Sequence, residues 1–425
     1  MCSSDLTIDQ PEVNKLAELY YNKILDRRIA YTERYEKNLL RAFDFFRRRG
    51  RLEILASCAT HSFFPFLSHN SESIQAQMET PVSIYRRNFG GAPQGFWLPE
   101  LGWTSAVEPF LRAYNYTYTI VDSHSLLFGS PQPEKGCFFP VKTPNGTFIL
   151  ARDYYAVHEI EKISCDPVYR NNNMDAGYEL PAKLVKGFLS PEGERRKTGY
   201  KYWARFTEDG SHTDTIYNPQ KASDRIQEHV RSFLEKTISR MEEVSKHMKE
   251  APLCLYTNNA DSLGRLWYEG PKFLETLFRM ASGYRDFQFI TPSEYICKQN
   301  LSSLSVCEPV NFSSSGVNGY AEKWLEVSGD WLYCHLFRAM ERMTELAERF
   351  PDDSGIKERA LNQAARELLL AQSSDLHMTE DCLRNFTTIY ESLGSNYIST
   401  EWLTTLEKRH NLFPNINYRV FRRKK

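Results

Sequence analysis

The chain has 425 residues, and its 53 basic and 54 acidic side chains leave a formal net charge of −1. This balance gives it no electrostatic reason to bind nucleic acid or an anionic membrane. With 41% hydrophobic and 25% charged residues, it has the composition of an ordinary globular protein. Its length is enough for two or three domains with substantial cores.

The sequence contains no run of about eighteen apolar residues that could span a membrane. Its first residues lack the basic and apolar regions of a secretory signal. The nine cysteines are scattered without CxxC spacing, which predicts reduced thiols and neither a disulfide framework nor a zinc site. We therefore expect a cytoplasmic protein with no metal and no other cofactor.

The first part of the chain alternates helical and strand patterns, which favours parallel β/α units. A helical pattern begins the chain and ends near Gly50, a plausible helix stop. After it, Asn145-Gly146 is a strong hairpin signal. The predicted helices are 12–49, 72–89 and 105–114, and the predicted strands are 51–57, 95–100, 117–123, 138–141 and 147–151.

The second part begins with an irregular, polar stretch at 155–222, which predicts an insertion of loops and not a new core. Helices are then predicted at 223–249 and 271–281, and strands at 253–256 and 287–290. The predicted domains are a helical segment at 1–50, a β/α portion at 51–304, a Ser-rich linker at 305–318 and a helical domain at 319–425.

The segment from Gly95 to Glu100 is the most informative stretch of the sequence. A short apolar run ends at the carboxylate of Glu100, with Trp97 and Trp103 nearby. In α/β barrels the chemistry lies at the C-terminal ends of the strands. Aromatic faces stack on sugar rings and carboxylates act on the acetal, so this pattern favours a sugar site. The alternative is a glutamate at a strand end in a surface turn.

Several ordered motifs resemble glycoside hydrolase family 57, more closely its α-1,4-glucan branching-enzyme branch. Glu100 ends the segment that resembles the nucleophile motif, and His61 ends an earlier motif. Motifs in a consistent order are more specific than any one of them. They are Ala59-Thr60-His61, Trp97-Leu98-Pro99-Glu100, Trp267-Tyr268-Glu269-Gly270-Pro271, Trp324-Leu325, Asp330-Trp331, Leu361-Asn362-Gln363-Ala364-Ala365-Arg366-Glu367 and Ala371-Gln372-Ser373-Ser374-Asp375.

The resemblance implies an α/β fold, an incomplete (β/α)7-type barrel followed by a C-terminal all-helical domain. The family is a retaining one, which needs a carboxylate nucleophile and a second carboxyl group about 5–5.5 Å away. Glu100 matches the nucleophile. His61 matches a substrate-binding histidine, although a histidine that only caps a strand end is the alternative.

The acid/base position departs from the family. That aspartate lies five residues before the glycine of a Phe-Gly-His-Trp-Trp-like run, which here places Asn259 five before Gly264. An amide cannot deliver a proton, and general acid catalysis contributes roughly 10²–10⁴-fold. Asp261 is nearby but matches the family only with a two-residue deletion. Asn259 is therefore interpreted as an altered acid/base site, or alternatively as a neutral cap or sugar ligand.

The resemblance also suggests aromatic and acidic contacts to the substrate. Trp203 resembles a stacking tryptophan of the irregular region, and Trp97 adjoins the nucleophile. Trp324 and Trp331 are seven residues apart and resemble stacking platforms of the helical domain, although core packing is the commoner reason for such a pattern. Asp375 matches the family, and its role could be structural.

The family's first strand, with its His-x-His-Pro-like motif, has no counterpart in this sequence. A truncated reading frame, a gene fragment and a partner that supplies the strand are the alternatives. The predicted function is an impaired α-1,4-glucan branching enzyme acting on an α-glucan polysaccharide or maltooligosaccharide. The alternatives are a non-catalytic glucan-binding protein or decayed fragment, and an α-glucan hydrolase.

Overall fold

The structure is a computed structural model that describes residues 11–205, 215–300, 304–326 and 329–423. Its strands are β1 (Gly95–Phe96), β2 (Tyr118–Val121), β3 (Val141–Lys142) and β4 (Phe148–Ala151). Its α-helices are α1 (Pro11–Ile29), α2 (Leu39–Arg48), α3 (Phe64–Leu67), α4 (Ser71–Phe89), α5 (Glu108–Ala113), α6 (Ser123–Leu127), α7 (Tyr154–Ser164), α8 (Ala176–Glu179), α9 (Pro219–Ser245), α10 (Gly270–Ala281), α11 (Pro292–Cys297), α12 (Trp331–Arg349), α13 (Gly355–Ala371), α14 (Thr379–Gly394) and α15 (Thr400–Arg409).

The chain divides into two compact units, and the boundaries differ from the predicted domains. The first unit consists of Met1–Arg49 and Asp153–Ile290, and the second of Gly50–Arg152 and Thr291–Lys425. The predicted C-terminal helical domain therefore shares a unit with the sheet. Part of the predicted helical segment, insertion and helical domain, at 1–10, 206–214, 327–328 and 424–425, lies outside the described residues.

The second unit contains a mixed sheet. The strand order is β1-β2-β4-β3, with β1, β2 and β4 parallel and β3 antiparallel to β4. Every residue of β2 is buried, as is typical of a parallel strand covered on both faces. The predicted hairpin is observed as the antiparallel pair of β3 and β4, in which Val141 lies opposite Ile149.

Three predicted strands are wrong or nearly so. Of 51–57, only Ala56 pairs, through a parallel bridge to Phe96. Residues 253–256 and 287–290 form no regular strand. The backbone at Leu255 accepts a hydrogen bond from Asp153 N at 2.7 Å, but one such bond does not make the continuous ladder that defines a strand.

The C-terminal helices pack into the largest core of the second unit. α13 is buried along most of its length, and it packs against both α12 and α14. The predicted linker at 305–318 is bonded to the sheet region and is not a free connection: Glu308 N donates to Ser130 O, and Ser130 N donates to Glu308 O. Ser313 and Ser314 within it are fully buried.

The first unit has its own core, built by α1, α7, α9 and α10. The predicted insertion at 155–222 contributes buried tyrosines to this core, which corrects the expectation of loops alone. These are Tyr169, Tyr202 and Tyr217. Across the parts of the chain that the structure describes, none of the helices has the length and apolar character needed to cross a membrane.

Candidate active site

Glu100 lies just beyond β1 and is held by two polar side chains. The Nε2 atom of His61 lies 3.3 Å from Glu100 Oε1, and Ser315 Oγ donates to Oε2 at 3.2 Å. The backbone of Ser315 also donates to Glu100 O at 2.6 Å. Glu100 and His61 remain partly open to solvent, with side-chain exposures of 27% and 52%. The carboxylate is thus fixed but accessible.

The backbone at Glu100 is strained. Glu100 has φ 55° and Leu101 has φ 52°, so two consecutive non-glycine residues adopt the left-handed conformation. Such residues cost free energy and cluster at functional sites, where the surroundings hold them in place. Here the strand leads into the turn Pro99–Leu101, which brings the carboxylate out at the strand end.

The surroundings of Glu100 favour its ionised form. The hydrogen bond from His61 lowers the pKa of Glu100, and this effect outweighs the burial that would raise it. The positive charge of Lys323 and the hydroxyl of Ser315 lower the pKa further. An ionised carboxylate is what a nucleophile requires.

The loop that carries His61 is anchored to the segment after α13. Ser374 N donates to His61 O at 2.7 Å. Thr60 Oγ1 donates to Leu369 O at 2.6 Å. Gln77 on α4 accepts from Thr60 N at 3.0 Å and donates to Gln372 Oε1 at 2.8 Å. The motifs around His61 and Gln372, which are distant in sequence, therefore form one bonded structure.

The aromatic residues of the second unit differ in how much of each ring is exposed to solvent. Trp324 is only 4% exposed, stacks on Phe63 with ring centroids 4.5 Å apart and donates to Ser374 O. It packs rather than offering an open face. Trp331 is 50% exposed at the start of α12. Trp97 is half-buried, and Asp375 is exposed and follows Ser374, whose backbone N–H donates to His61 O.

Trp331 borders a groove of about 400 Å³ between α12 and α14. Polar and cationic side chains accompany its ring there, including His335, Arg338 and Arg384. An exposed indole beside hydrogen-bonding groups suits a sugar ring, which has apolar faces and a polar rim. Trp324 and Trp331 do not share one helix, because Trp324 ends a separate short helical turn.

Asn259 and Trp203 belong to the first unit. Asn259 is exposed and its Oδ1 accepts from Asp261 N at 3.0 Å, as in a capping turn. Asp261 pairs with Arg265 at 2.8 Å, and this hydrogen bond lowers the pKa of Asp261. This favours the ionised form of Asp261, and an ionised carboxylate is a poor proton donor. Trp203 is half-buried, and its Nε1 donates to Glu179 at 2.7 Å.

Sequence reasoning missed Ser315 and Lys323, which act on Glu100 from more than two hundred residues away. It also missed a polar group at the ends of β2 and β4. Asp122 and His124 follow β2, and Arg152 follows β4. The sequence signal for this group is a polar residue directly after an apolar strand. The segment that contacts Glu100 has the sequence of a linker, which hides its role.

One group of potential metal ligands exists among the described residues. Atoms of Glu367, Cys382 and His410 lie within 4.8 Å of one another. Yet His410 Nδ1 is 2.8 Å and 2.9 Å from the two oxygens of Glu367, which are hydrogen-bond distances. Burial and Glu367 raise the pKa of the Cys382 thiol. We assign this group a role in packing the helices.

Two family models match the chain. The model described as glycosyl hydrolase family 57 matches residues 7–176, and the one described as 1,4-alpha-glucan branching enzyme, C-terminal, matches residues 335–421. Among curated proteins, the 1,4-alpha-glucan branching enzyme TK1436 of Thermococcus kodakarensis is 26% identical over 379 residues. That match covers 84% of this chain, and the chain spans about half (53%) of the length of that relative.

The fold is also similar to solved structures. The novel alpha-amylase AmyC from Thermotoga maritima is 30% identical with a TM-score of 0.89, covering 99% of this chain and 82% of that one. The branching enzyme from Pyrococcus horikoshii is 22% identical with a TM-score of 0.80, covering 98% and 80%. The second likeness concerns the fold alone, whereas the first extends to the sequence.

Proposed function

Because the chain belongs to glycosyl hydrolase family 57, we propose that it has a branching-enzyme-like function in which Glu100 is the nucleophile. The observation that carries this proposal is the Glu100 carboxylate itself. It stands at a strand end, is hydrogen-bonded by His61 and Ser315, has a lowered pKa and remains accessible. The printed names of the relatives support an α-glucan as the substrate.

The reaction would proceed with retention. A Glu100 oxygen forms a bond to the anomeric carbon of an α-1,4-linked glucan, and the bond to the leaving glucan oxygen breaks. That oxygen takes up a proton. The 6-hydroxyl of an acceptor glucan then attacks the anomeric carbon, loses its proton and displaces Glu100, which leaves an α-1,6 branch in a glycogen-like product.

We propose that this reaction is impaired in the chain because Asn259 stands at the acid/base position. With no acid there, the leaving oxygen must take its proton from water. The cost falls on the first step, since a glucan alcohol is a poor leaving group. General acid catalysis accounts for roughly 10²–10⁴-fold in rate.

Substrate contacts are proposed for His61, Trp97, Trp203, Trp331 and Asp375. Trp331 is the strongest of these because half of its surface is exposed beside polar side chains. Trp324 would act indirectly, by packing under the segment that leads to Trp331. We further propose that the sheet is part of an incomplete (β/α)7-type barrel, which its parallel β1, β2 and β4 support.

The test compares wild type with Asn259→Asp on two substrates. Amylose branching should rise by about 10²–10⁴-fold in the variant. Turnover of α-glucosyl fluoride, whose leaving group needs no acid, should change far less. Asn258→Asp is the matched control, because it adds the same charge one residue away. Equal branching by wild type and Asn259→Asp, in folded protein, would contradict the proposed role of position 259.

Hydrolysis is the second candidate, because the neighbour at 30% identity is named an alpha-amylase. Water would then replace the 6-hydroxyl in the second step. Reducing ends of the product are counted before and after enzymatic debranching. Hydrolysis would create new reducing ends, and debranching would release no further ends because no α-1,6 linkages had formed.

Binding without turnover is the third candidate and is favoured by Asn259 together with the ionised state of Asp261. In that case maltooligosaccharides would bind, with heat in calorimetry, while α-glucosyl fluoride would remain intact. A decayed remnant would show neither.

A further inference from the structure

The ends of β2 and β4 hold a charged pair beside a histidine. Asp122 directly follows β2, is 2% exposed and accepts from Arg152 Nη2 at 2.5 Å, while Arg152 directly follows β4. The Nδ1 atom of His124 lies 3.9 Å from Asp122 Oδ1. Asp122 also caps α6, the short helix on which His124 sits, by accepting from Ser123 N at 2.7 Å.

His124 clasps a segment that is distant in sequence. Its Nε2 donates to Gly319 O at 3.0 Å. Gly319 has φ 81°, and a Cβ there would come within 2.4 Å of the imidazole. The position therefore requires glycine for two reasons: the left-handed backbone, and the close approach of the ring.

The clasped segment, residues 313–321, is the one that contacts Glu100. Gly319 O also accepts from Ser314 N at 2.8 Å, so the two ends of the turn are joined. Ser314 Oγ accepts from Ala321 N at 2.9 Å. Ser315, the residue after Ser314, makes two hydrogen bonds to Glu100, one from its hydroxyl and one from its backbone N–H. Ser125, one residue after His124, is hydrogen-bonded to Ser313.

We propose that His124 is a positioning residue for Glu100: through Gly319 it holds the turn at 313–321, so that Ser315 hydrogen-bonds the carboxylate. The inference rests on the proposed function of Glu100. The inference adds a series of neighbouring residues at the ends of β2 and β4, which runs from Arg152 through Asp122 and His124 to the turn. In that arrangement Arg152 and Asp122 orient the imidazole, and the imidazole orients the turn.

The charged and polar groups that face His124 are consistent with this role. They are Asp122, Arg152, the Gly319 carbonyl and the ring of Tyr320, whose centroid is 5.4 Å away. Burial alone would lower the pKa of His124, but the nearby negative charge of Asp122 and the Gly319 carbonyl raise it overall. A protonated imidazole carries a hydrogen on Nε2 for Gly319 O and a positive charge that Asp122 attracts, so the clasp is tightest below the pKa of His124.

The experiment compares His124→Ala with His124→Gln, whose amide can donate to Gly319 O as Nε2 does. Hydrogen exchange at 313–321 should rise by about 3- to 10-fold in the alanine variant, the loss expected for one net hydrogen bond, and should largely recover in the glutamine variant. His247→Gln, at an exposed histidine, is the control and should leave this exchange unchanged.

A second measurement separates positioning from a merely structural role. The rate at which an activated fluorinated glucosyl fluoride labels Glu100 falls at low pH as the carboxylate protonates. His124→Ala should shift this acid limb to higher pH, because Glu100 loses the Ser315 hydrogen bond. Ser315→Ala should give the same shift, and His124→Gln should restore the wild-type limb.

Each outcome decides the proposal. A lower melting temperature in His124→Ala with an unmoved acid limb would overturn it. If the wild type is not labelled at Glu100, the proposed function fails. Hydrogen exchange then still decides on His124, and unchanged exchange at 313–321 in the alanine variant would overturn the clasp as well.

Discussion

At the scale of single residues, His61 favours the ionised form of the Glu100 carboxyl group. His61 lies 3.3 Å from the carboxylate and is the largest cause of the lowered pKa of Glu100. A carboxyl group whose pKa is lowered by folding stabilises the folded protein at pH values above its usual pKa. That stabilisation is lost as the pH falls through the lowered pKa. Glu100 should therefore stay ionised, and able to attack a sugar, at pH values below its ordinary 4.5.

Replacing His61 should change this pH dependence. We expect His61→Ala to raise the pKa of Glu100. As the pH is lowered, turnover of α-glucosyl fluoride should then begin to fall at a higher pH than in wild type. His61→Gln keeps a donor of similar reach and should lie between the two. The measurement is the pH profile of fluoride release. If the acid limbs of wild type and His61→Ala coincide, the imidazole does not control the ionisation of Glu100.

Two tryptophans allow packing and binding to be separated. Trp324 is buried on Phe63, so Trp324→Ala should lower the free energy of unfolding by about 3–5 kcal/mol. Trp331→Ala should leave stability within about 1 kcal/mol but weaken maltooligosaccharide binding by about 1 kcal/mol or more. Denaturant unfolding and calorimetry provide the two readouts. The reverse pattern would show that Trp331 packs and Trp324 binds.

At the scale of elements, the helices of the second unit meet at the buried carboxylate of Glu367. This carboxylate on α13 accepts from Gln363 at 2.7 Å, from Asn385 on α14 at 3.1 Å and from His410 after α15. A fully buried acid is tolerated only when its oxygens are satisfied in this way. The residue therefore joins three helices through hydrogen bonds.

Removing this carboxylate should be costly. Glu367→Ala leaves buried donors without an acceptor, and we expect a loss of about 3–5 kcal/mol in the free energy of unfolding. Glu391→Gln, at an exposed glutamate of α14, is the control and should change stability by less than about 0.5 kcal/mol. Urea unfolding of the three proteins measures both. Similar midpoints for Glu367→Ala and wild type would contradict the role of Glu367.

The elements that the sequence predicted well are those with a strong local pattern. The helix predicted at 72–89 is observed at Ser71–Phe89, where Asn70 caps Ser73 N and the left-handed Gly90 ends it. The apolar runs at 253–256 and 287–290 misled the prediction, because an apolar run does not say whether a neighbouring strand exists to pair with. Pairing is a property of the tertiary structure.

At the scale of the whole molecule, the site residues that the sequence predicts are those in local motifs, and those it does not predict depend on the tertiary structure. Glu100 and His61 stand in local motifs that the sequence displays. Ser315 and Lys323 act on Glu100 because the chain from 305 to 323 returns to the strand ends, which no local pattern encodes. The clasp of His124 on Gly319 spans 195 residues and was hidden for the same reason.

The most direct test of the account is to trap the nucleophile. An activated fluorinated glucosyl fluoride should leave one glucosyl adduct on the intact chain, and peptide mass spectrometry should locate it at Glu100. Glu100→Gln should carry no adduct while unfolding with the same cooperativity as wild type. An adduct on a different carboxylate, or none on a folded wild-type chain that binds maltooligosaccharides, would contradict the assignment of Glu100.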